Sequence, residues 1–114
     1  MNVTRHKVGP RMSQAVVHGS TVYLAGQVAG DEPTTKRQTE QILRQVDALL
    51  AAAGTNKLRL LSATVYLADM AKYTEMNEAW DAWVDPTNTP ARATVEAKLA
   101  SPKYLVEISI IAAV

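Results

Sequence analysis

The sequence contains no cysteine and no phenylalanine, and its 114 residues carry a formal net charge of only +1. Without cysteine there is no disulfide, no thiolate metal site and no cysteine nucleophile, which excludes a disulfide-stapled secreted scaffold. The near-neutral charge argues against a dedicated nucleic-acid-binding protein, since such proteins usually have a strongly basic surface. The lack of cysteine is compatible with the reducing cytoplasm, which is the expected location.

Long hydrophobic runs are also lacking. The longest apolar stretch, 105–114, includes Glu107 and Ser109, and at about ten residues it is too short and too polar to span a bilayer. The charged first residues are not followed by an apolar segment, so no secretory signal is expected. No membrane partner is therefore expected.

The residues that are present predict a folded domain. Hydrophobic residues make up 47% of the chain and charged residues 20%, which is typical of a globular protein. The length fits a single domain, 1–114, in which residues 1–8 form either a loosely ordered terminus or a first strand.

Hydrophobic periodicity predicts five strands and two helices. The strands are expected at 15–17, 21–25, 60–68, 92–99 and 105–114, and the helices at 36–53 and 71–84. Thr34 or Thr35 is expected to cap the first helix, and Gly54 to end it. Asp69 is expected to cap the second.

Alternation along the strands predicts which side chains share a face. Leu61, Ala63, Val65 and Leu67 are expected on one face of their strand. The second helix is expected to bury a stripe formed by Tyr73, Met76, Trp80, Trp83 and Val84.

The element order predicts an α+β domain, in which two helices pack on one face of a mixed sheet of five to six strands. The last strand has apolar residues on both faces, with Val106 and Ile108 on one side and Leu105 and Ile111 on the other. Because two helices cover only one face, the other face is expected to contact a partner subunit.

Two charged residues are candidates for a site. Glu107 lies between Val106 and Ile108, and a buried carboxylate must be paired or hydrogen-bonded. Arg92 begins the preceding strand, so the two side chains are expected to face each other across a strand ladder. They form either a plain buried salt bridge or a site in which Arg92 binds a carboxylate and Glu107 holds water. His6 and His18 are too far apart in sequence for a metal-ligand motif, so no metal is expected.

An ordered set of motifs resembles the Rid family of reactive-intermediate deaminases over about residues 9–113. These motifs are Gly9-Pro10 with Ser13-Gln14-Ala15-Val16, Val22-Tyr-Leu-Ala-Gly-Gln27, Thr64-Val-Tyr-Leu-Ala-Asp-Met70, Pro90-Ala-Arg-Ala-Thr-Val95 and Val106-Glu-Ile108. The stretches 77–84 and 97–104 look most like the YoaB-like branch.

The resemblance implies a chorismate-mutase-like fold, a barrel-like homotrimer and clefts at the subunit interfaces. It implies hydrolysis of 2-imino or 2-enamino acids, such as 2-aminoacrylate, to 2-oxo acids and ammonia without a cofactor. Carried over by position, Arg92 grips the substrate carboxylate and Glu107 positions the water. Thr94 and Gly26 line the cleft, and Asn88 lies at its rim.

Three departures from the family pattern concern the expected cleft. Met12 stands about where many members have an aromatic residue, and Ala25 replaces the usual serine. Arg11 adds a cation nearby, which is either a substrate contact or a solvated charge. Met12 and Ala25 are included among the expected substrate-binding residues.

Two alternatives to the deaminase follow from these residues. One is a non-catalytic trimer that senses a 2-oxo or 2-imino carboxylate, which the changes at Met12 and Ala25 favour slightly. The other is an endoribonuclease or translation inhibitor, against which the low charge and the lack of a suitable histidine pair count. Nucleic acid is therefore not the expected partner.

Overall fold

The computed structural model describes residues 2–114, which form one six-stranded mixed sheet with both helices packed on one face. The elements are β1 Val3–Val8, β2 Ser13–His18, β3 Thr21–Leu24, α1 Thr35–Ala52, β4 Leu60–Leu67, α2 Tyr73–Trp83, β5 Ala91–Glu96 and β6 Val106–Ala113. The strand order is β1-β2-β3-β6-β4-β5, and β4 and β5 are the parallel pair. The predicted α+β class is confirmed.

The terminal segment that the sequence left open is a strand. Residues 3–8 pair antiparallel with β2, from Val3 opposite His18 to Val8 opposite Ser13. Met1, which was included in the prediction for residues 1–8, lies outside the described residues. Within 2–114, no helix has both the length and the hydropathy needed to cross a membrane.

The central strand β6 shows how the sheet is built. Val106, Ile108, Ile110 and Ala112 are each at most 1% exposed, whereas the residues between them are half-buried. Successive side chains of a strand point to opposite faces, so every second residue of β6 enters the core beneath the helices. The alternate set, which includes Glu107, lies on the face without helices, called the open face below.

The first helix begins and ends as its sequence predicts. Thr34 is the N-cap, and its hydroxyl accepts a hydrogen bond from the Arg37 backbone N–H at 3.1 Å. Gly54 follows the helix with φ +83°, a backbone conformation that glycine adopts without steric cost. The buried side of α1 carries the predicted apolar stripe, including Ile42, Val46 and Leu50.

Gln38 fastens two loops to α1 from a buried position. Its side chain is 1% exposed, donates to the carbonyls of Glu32 and Lys103 at 2.9 Å, and accepts from the Leu105 N–H at 2.9 Å. The amide thus uses both of its N–H groups and its oxygen on backbone groups of the two loops. It sets the path of the chain into β6 and therefore the position of Glu107.

Three local predictions are wrong. Leu61 is 49% exposed because a register shift between Leu60 and Ser62 puts Leu60 into the core instead. Tyr73 is 42% exposed, and Ala79 takes part in the buried side of α2. Asp69 caps a short 3₁₀ turn that precedes α2.

The predicted strand 92–99 ends early. β5 stops at Glu96, after which the chain leaves the edge of the sheet. The segment 97–104 forms turns and coil that line three cavities, one of which contains Glu107.

We expect Gln38→Leu to lower the free energy of unfolding by about 3 kcal/mol, because it removes three side chain–backbone hydrogen bonds worth about 1 kcal/mol each. Chemical denaturation at one fixed protein concentration measures this loss. The control is Gln41→Leu on the same helix, which removes only side-chain contacts near the surface and should cost about 0.5 kcal/mol. Equal losses in the two variants would contradict the role of Gln38.

Candidate functional site

Glu107 lies in a cavity of about 440 Å³. It pairs across the sheet with Tyr66 of β4, and its half-buried side chain projects away from the buried Val106 and Ile108. The cavity is lined by Met12, Gln14, Gly26, Gln27, Val28, Gln45, Ala100, Tyr104 and Glu107. Of these lining residues, Glu107 alone has a side chain that is normally charged at neutral pH.

Gly26 makes room for that carboxyl group. A Cβ atom built on Gly26 would lie 2.9 Å from Glu107 Cδ and would overlap its Oε2. The neighbouring backbone is fixed, because the Gln27 N–H donates to the Ile108 carbonyl at 2.8 Å and the Ile108 N–H donates back at 3.1 Å. The structure therefore brings together three of the predicted site residues: Glu107, Gly26 and Met12.

Arg92 lies on the other face of the sheet, beside α2. Its Nη1 donates to Asn77 Oδ1 at 2.8 Å, and its Nη2 donates to the Tyr73 hydroxyl at 3.3 Å. The guanidinium carbon lies 5.2 Å from the centre of a Trp80 ring, within the range of a cation–π contact. These partners are neutral, and none of the ion pairs found within residues 2–114 includes Arg92.

The prediction that Arg92 and Glu107 face each other is wrong. β4 lies between β5 and β6, and it pairs Ala63 with Arg92 but Tyr66 with Glu107. Two strand spacings of about 4.8 Å and three residues of about 3.3 Å put their Cα atoms roughly 14 Å apart. Their side chains point to opposite faces, so a plain Arg92–Glu107 salt bridge within one copy is excluded. A single copy of the chain does not hold one small molecule between them.

The remaining predicted residues fall into three places. Thr94 lies two residues beyond Arg92 on the same face of β5, and its Oγ1 is buried without a hydrogen-bond partner within residues 2–114. Ala25 adjoins Gly26 without lining the cavity, and its N–H donates to the Gln14 carbonyl at 2.9 Å. Met12 is 52% exposed at the mouth of the Glu107 cavity.

Asn88 belongs to a surface turn. Its side chain donates to Asp85 and Thr87, and its N–H donates to the Asp85 carbonyl. The Thr87 hydroxyl and N–H also donate to the Asp85 carboxylate, and these hydrogen bonds hold the pKa of Asp85 below its usual value. Within residues 2–114, Asn88 therefore forms no hydrogen bond with either Glu107 or Arg92.

Sequence reasoning missed the neutral side chains that hold both charged groups. Asn77, Tyr73 and Trp80 surround Arg92, and their 3- and 4-residue spacing on one helix was the available signal. Gln14 and Gln45 line the Glu107 cavity, but no local pattern connects β2 with α1. Within residues 2–114, no group of three or more His, Asp and Glu side chains is placed to hold a metal ion.

A family model described as Endoribonuclease L-PSP matches residues 5–114. The chain belongs to this family, which is also called YjgF or Rid. The resemblance inferred from the motifs is thereby confirmed.

Relatives match the chain over almost its whole length. A RutC family protein from Haemophilus ducreyi is 50% identical over 113 residues, covering 98% of this chain and 97% of its own. RutC family protein YoaB from Escherichia coli is 43% identical, covering 100% of both chains. A solved YjgF family member from Neisseria meningitidis superposes with a TM-score of 0.97 at 44% identity, covering 99% of this chain and 95% of that one. The YjgF-type fold is thus confirmed.

We expect Gly26→Ala to displace the Glu107 carboxyl group and to abolish any activity that depends on it, because the new methyl group occupies the same space. The control is Gly54→Ala. There a Cβ meets nothing within 4 Å, and the positive φ alone costs about 1 kcal/mol. Activity and thermal unfolding, measured side by side, should separate the two variants. Full activity in Gly26→Ala would contradict the close approach.

We expect Asn77→Asp to weaken the binding of anionic ligands at Arg92 by about tenfold, because the introduced carboxylate forms an ion pair with the guanidinium. Asn77→Ser, which keeps a neutral acceptor, should lose less. Calorimetric titration with pyruvate measures both affinities. Equal losses would show that shape, and not charge, sets the role of Asn77.

Proposed function

We propose that the protein is a hydrolytic deaminase of reactive 2-imino and 2-enamino acids, acting as a homotrimer. The observation that carries this proposal is that neither Arg92 nor Glu107 has a counter-ion within residues 2–114. Arg92 is a guanidinium held by neutral partners and free of any carboxylate within residues 2–114, and Glu107 is a carboxyl group in a neutral cavity. Imine hydrolysis needs both, one to bind a carboxylate and one to handle water.

The two groups meet when copies of the chain assemble. Apolar side chains of the open face favour such an assembly, since Tyr23 is 47% exposed, Val95 is 41% exposed and Ile111 is only half-buried. Arg92 lies on β5, at the edge of the sheet, where it can reach a neighbouring copy. The proposed cleft therefore takes Glu107 from one copy and Arg92 from another.

The reaction balances without a redox step. Arg92 binds the carboxylate of the substrate through two parallel N–H···O bonds. Glu107 takes a proton from a water molecule, whose oxygen forms a bond with C2 of the imine. Glu107 gives that proton to the nitrogen, and the proton of the new hydroxyl group follows it as the C=O bond forms and the C–N bond breaks, so that ammonia and a 2-oxo acid leave. The chain supplies the acid–base group and the orientation, so no cofactor is needed for this proposal.

A carboxylate-binding sensor is the second candidate function. Met12 lines the cavity with an apolar side chain, and Ala25 brings no hydroxyl group to its edge, so fewer polar groups are available to a transition state. A sensor keeps Arg92 but does not need Glu107 to activate water. RNA cleavage, which the name of the matching family model suggests, is not favoured by the cavity, since neither His6 nor His18 lines it.

We expect the protein to accelerate ammonia release from 2-iminopropionate generated in situ by an amino-acid oxidase. Glu107→Gln should lower kcat by about 100-fold while 2-oxo acids still bind, because only the proton acceptor is lost. Arg92→Ala should bind neither the imino acid nor the 2-oxo acids, because it lacks the group that holds their carboxylate. A wild-type protein that binds pyruvate but accelerates no imine would leave the sensor as the function.

Mixing two inactive variants tests whether Arg92 and Glu107 of one cleft come from different copies of the chain. We expect Arg92→Ala and Glu107→Gln, co-expressed in equal amounts, to recover about a quarter of the wild-type activity, because random assembly makes that share of the clefts intact. Each variant expressed alone is the control. A mixture as inactive as the single variants, with mixed assembly shown by mass spectrometry, would contradict a cleft shared between copies.

A further inference from the structure

Four of the five glutamines in the sequence form one continuous chain of side-chain hydrogen bonds. It begins at Arg44, whose guanidinium donates to Gln41 Oε1 at 2.9 Å. Gln41 Nε2 donates to Gln45 Oε1 at 3.3 Å, and Gln45 Nε2 donates to Gln27 Oε1 at 3.1 Å. Gln27 Nε2 donates to Gln14 Oε1 at 2.9 Å, which brings the chain into the Glu107 cavity.

The direction of every bond in this chain is fixed by chemistry. Arg44 can only donate, so Gln41 must present its oxygen to it. The backbone carbonyls of Val28 and Ala25 can only accept, and they take hydrogen bonds from Gln45 Nε2 at 3.2 Å and from Gln27 Nε2 at 3.0 Å. Exchanging the amide oxygen and nitrogen of any of these four glutamines would break at least one of these hydrogen bonds.

Gln14 is the last residue in this series of hydrogen-bonded side chains, and the group that it leaves free is the donor Nε2. Its oxygen accepts from Gln27, and its Nε2 takes part in no hydrogen bond found within residues 2–114. Aligned hydrogen bonds polarise one another, so an N–H at the end of a chain that starts on a guanidinium is a strengthened donor. Gln14 is one of the residues that line the cavity containing Glu107, and it also lines a neighbouring cavity beside Lys7 and Ala48.

We propose that Gln14 recognises the side chain of the substrate by donating to a neutral carbonyl oxygen on it. A carboxylate side chain would be repelled by Glu107, since the cavity lining of one copy holds no cation and Arg92 of the other copy is already bound to the C1 carboxylate of the substrate in the proposed cleft. An alkyl side chain would leave the Gln14 donor without a partner. The preferred substrates are therefore 2-imino acids with an amide side chain. This inference rests on the proposed deaminase activity for its substrate class.

Three ligands of nearly equal shape test the proposal. 2-Oxosuccinamate, oxaloacetate and 4-methyl-2-oxopentanoate differ in whether the side chain ends in an amide, a carboxylate or two methyl groups. We expect the wild-type protein to bind the amide about tenfold more tightly than the alkyl ligand, the value of one good hydrogen bond, and the carboxylate more weakly than the amide. The matching imino acids should follow the same order in kcat/KM.

Gln14→Met keeps the length of the side chain and removes its donor. We expect the amide-to-alkyl ratio to fall to about one in this variant, through loss of affinity for the amide. Gln41→Met, which cuts the chain far from the cavity, should lower the ratio by less than threefold. Should Gln14→Met fail to fold, Gln14→Asn moves the amide back by one methylene and should lower the ratio at least threefold.

The outcomes separate this inference from the proposed function. Turnover with no preference for the amide, or a preference that survives in Gln14→Met, would overturn the role of Gln14 and leave the deaminase standing. Binding of the three 2-oxo acids in the expected order, with no turnover of any imine, would support Gln14 and overturn the deaminase.

Discussion

The two-residue period of β6 is the constraint on which the rest of this structure depends. Burial of Val106, Ile108, Ile110 and Ala112 under two helices fixes the register of the strand, because a slip of one residue would move all four to the open face. The same register sends Glu107 to the open face. The position of the acidic group is thus a consequence of core packing, and Gly26 and Gln38 adapt the neighbouring backbone to it.

That register also separates the two charged groups. The face that α2 covers holds Arg92 among neutral partners, and the open face holds Glu107 in a neutral cavity. Neither charge is neutralised within the part of the chain that the structure describes, which leaves both available to a ligand. A charge kept half-buried without a counter-ion lowers stability, so its retention in both places points to a use outside the single copy.

Local patterns predicted the elements, and non-local pairing decided the site. The stripe of α1, its Thr34 cap and Gly54 all follow from neighbours in sequence, and each was predicted correctly. Arg92 and Glu107 were predicted to face each other because β5 and β6 are consecutive. The insertion of β4 between them is a parallel pairing that sequence periodicity does not record. The bulge at Leu61 likewise breaks an alternation that the sequence alone presents as regular.

The glutamine chain shows how a site can be tuned without adding charge. A lysine or arginine at Gln14 would add a positive charge to the cavity that Glu107 shares and would disfavour protonation of its carboxylate. An aliphatic wall would leave the carbonyls of Ala25 and Val28 unpaired near the core. Amides satisfy those carbonyls, extend the polarising effect of Arg44 into the cavity and keep the wall neutral. In the proposed deaminase, this arrangement places a directed donor in the same cavity as Glu107 without adding a charge to it.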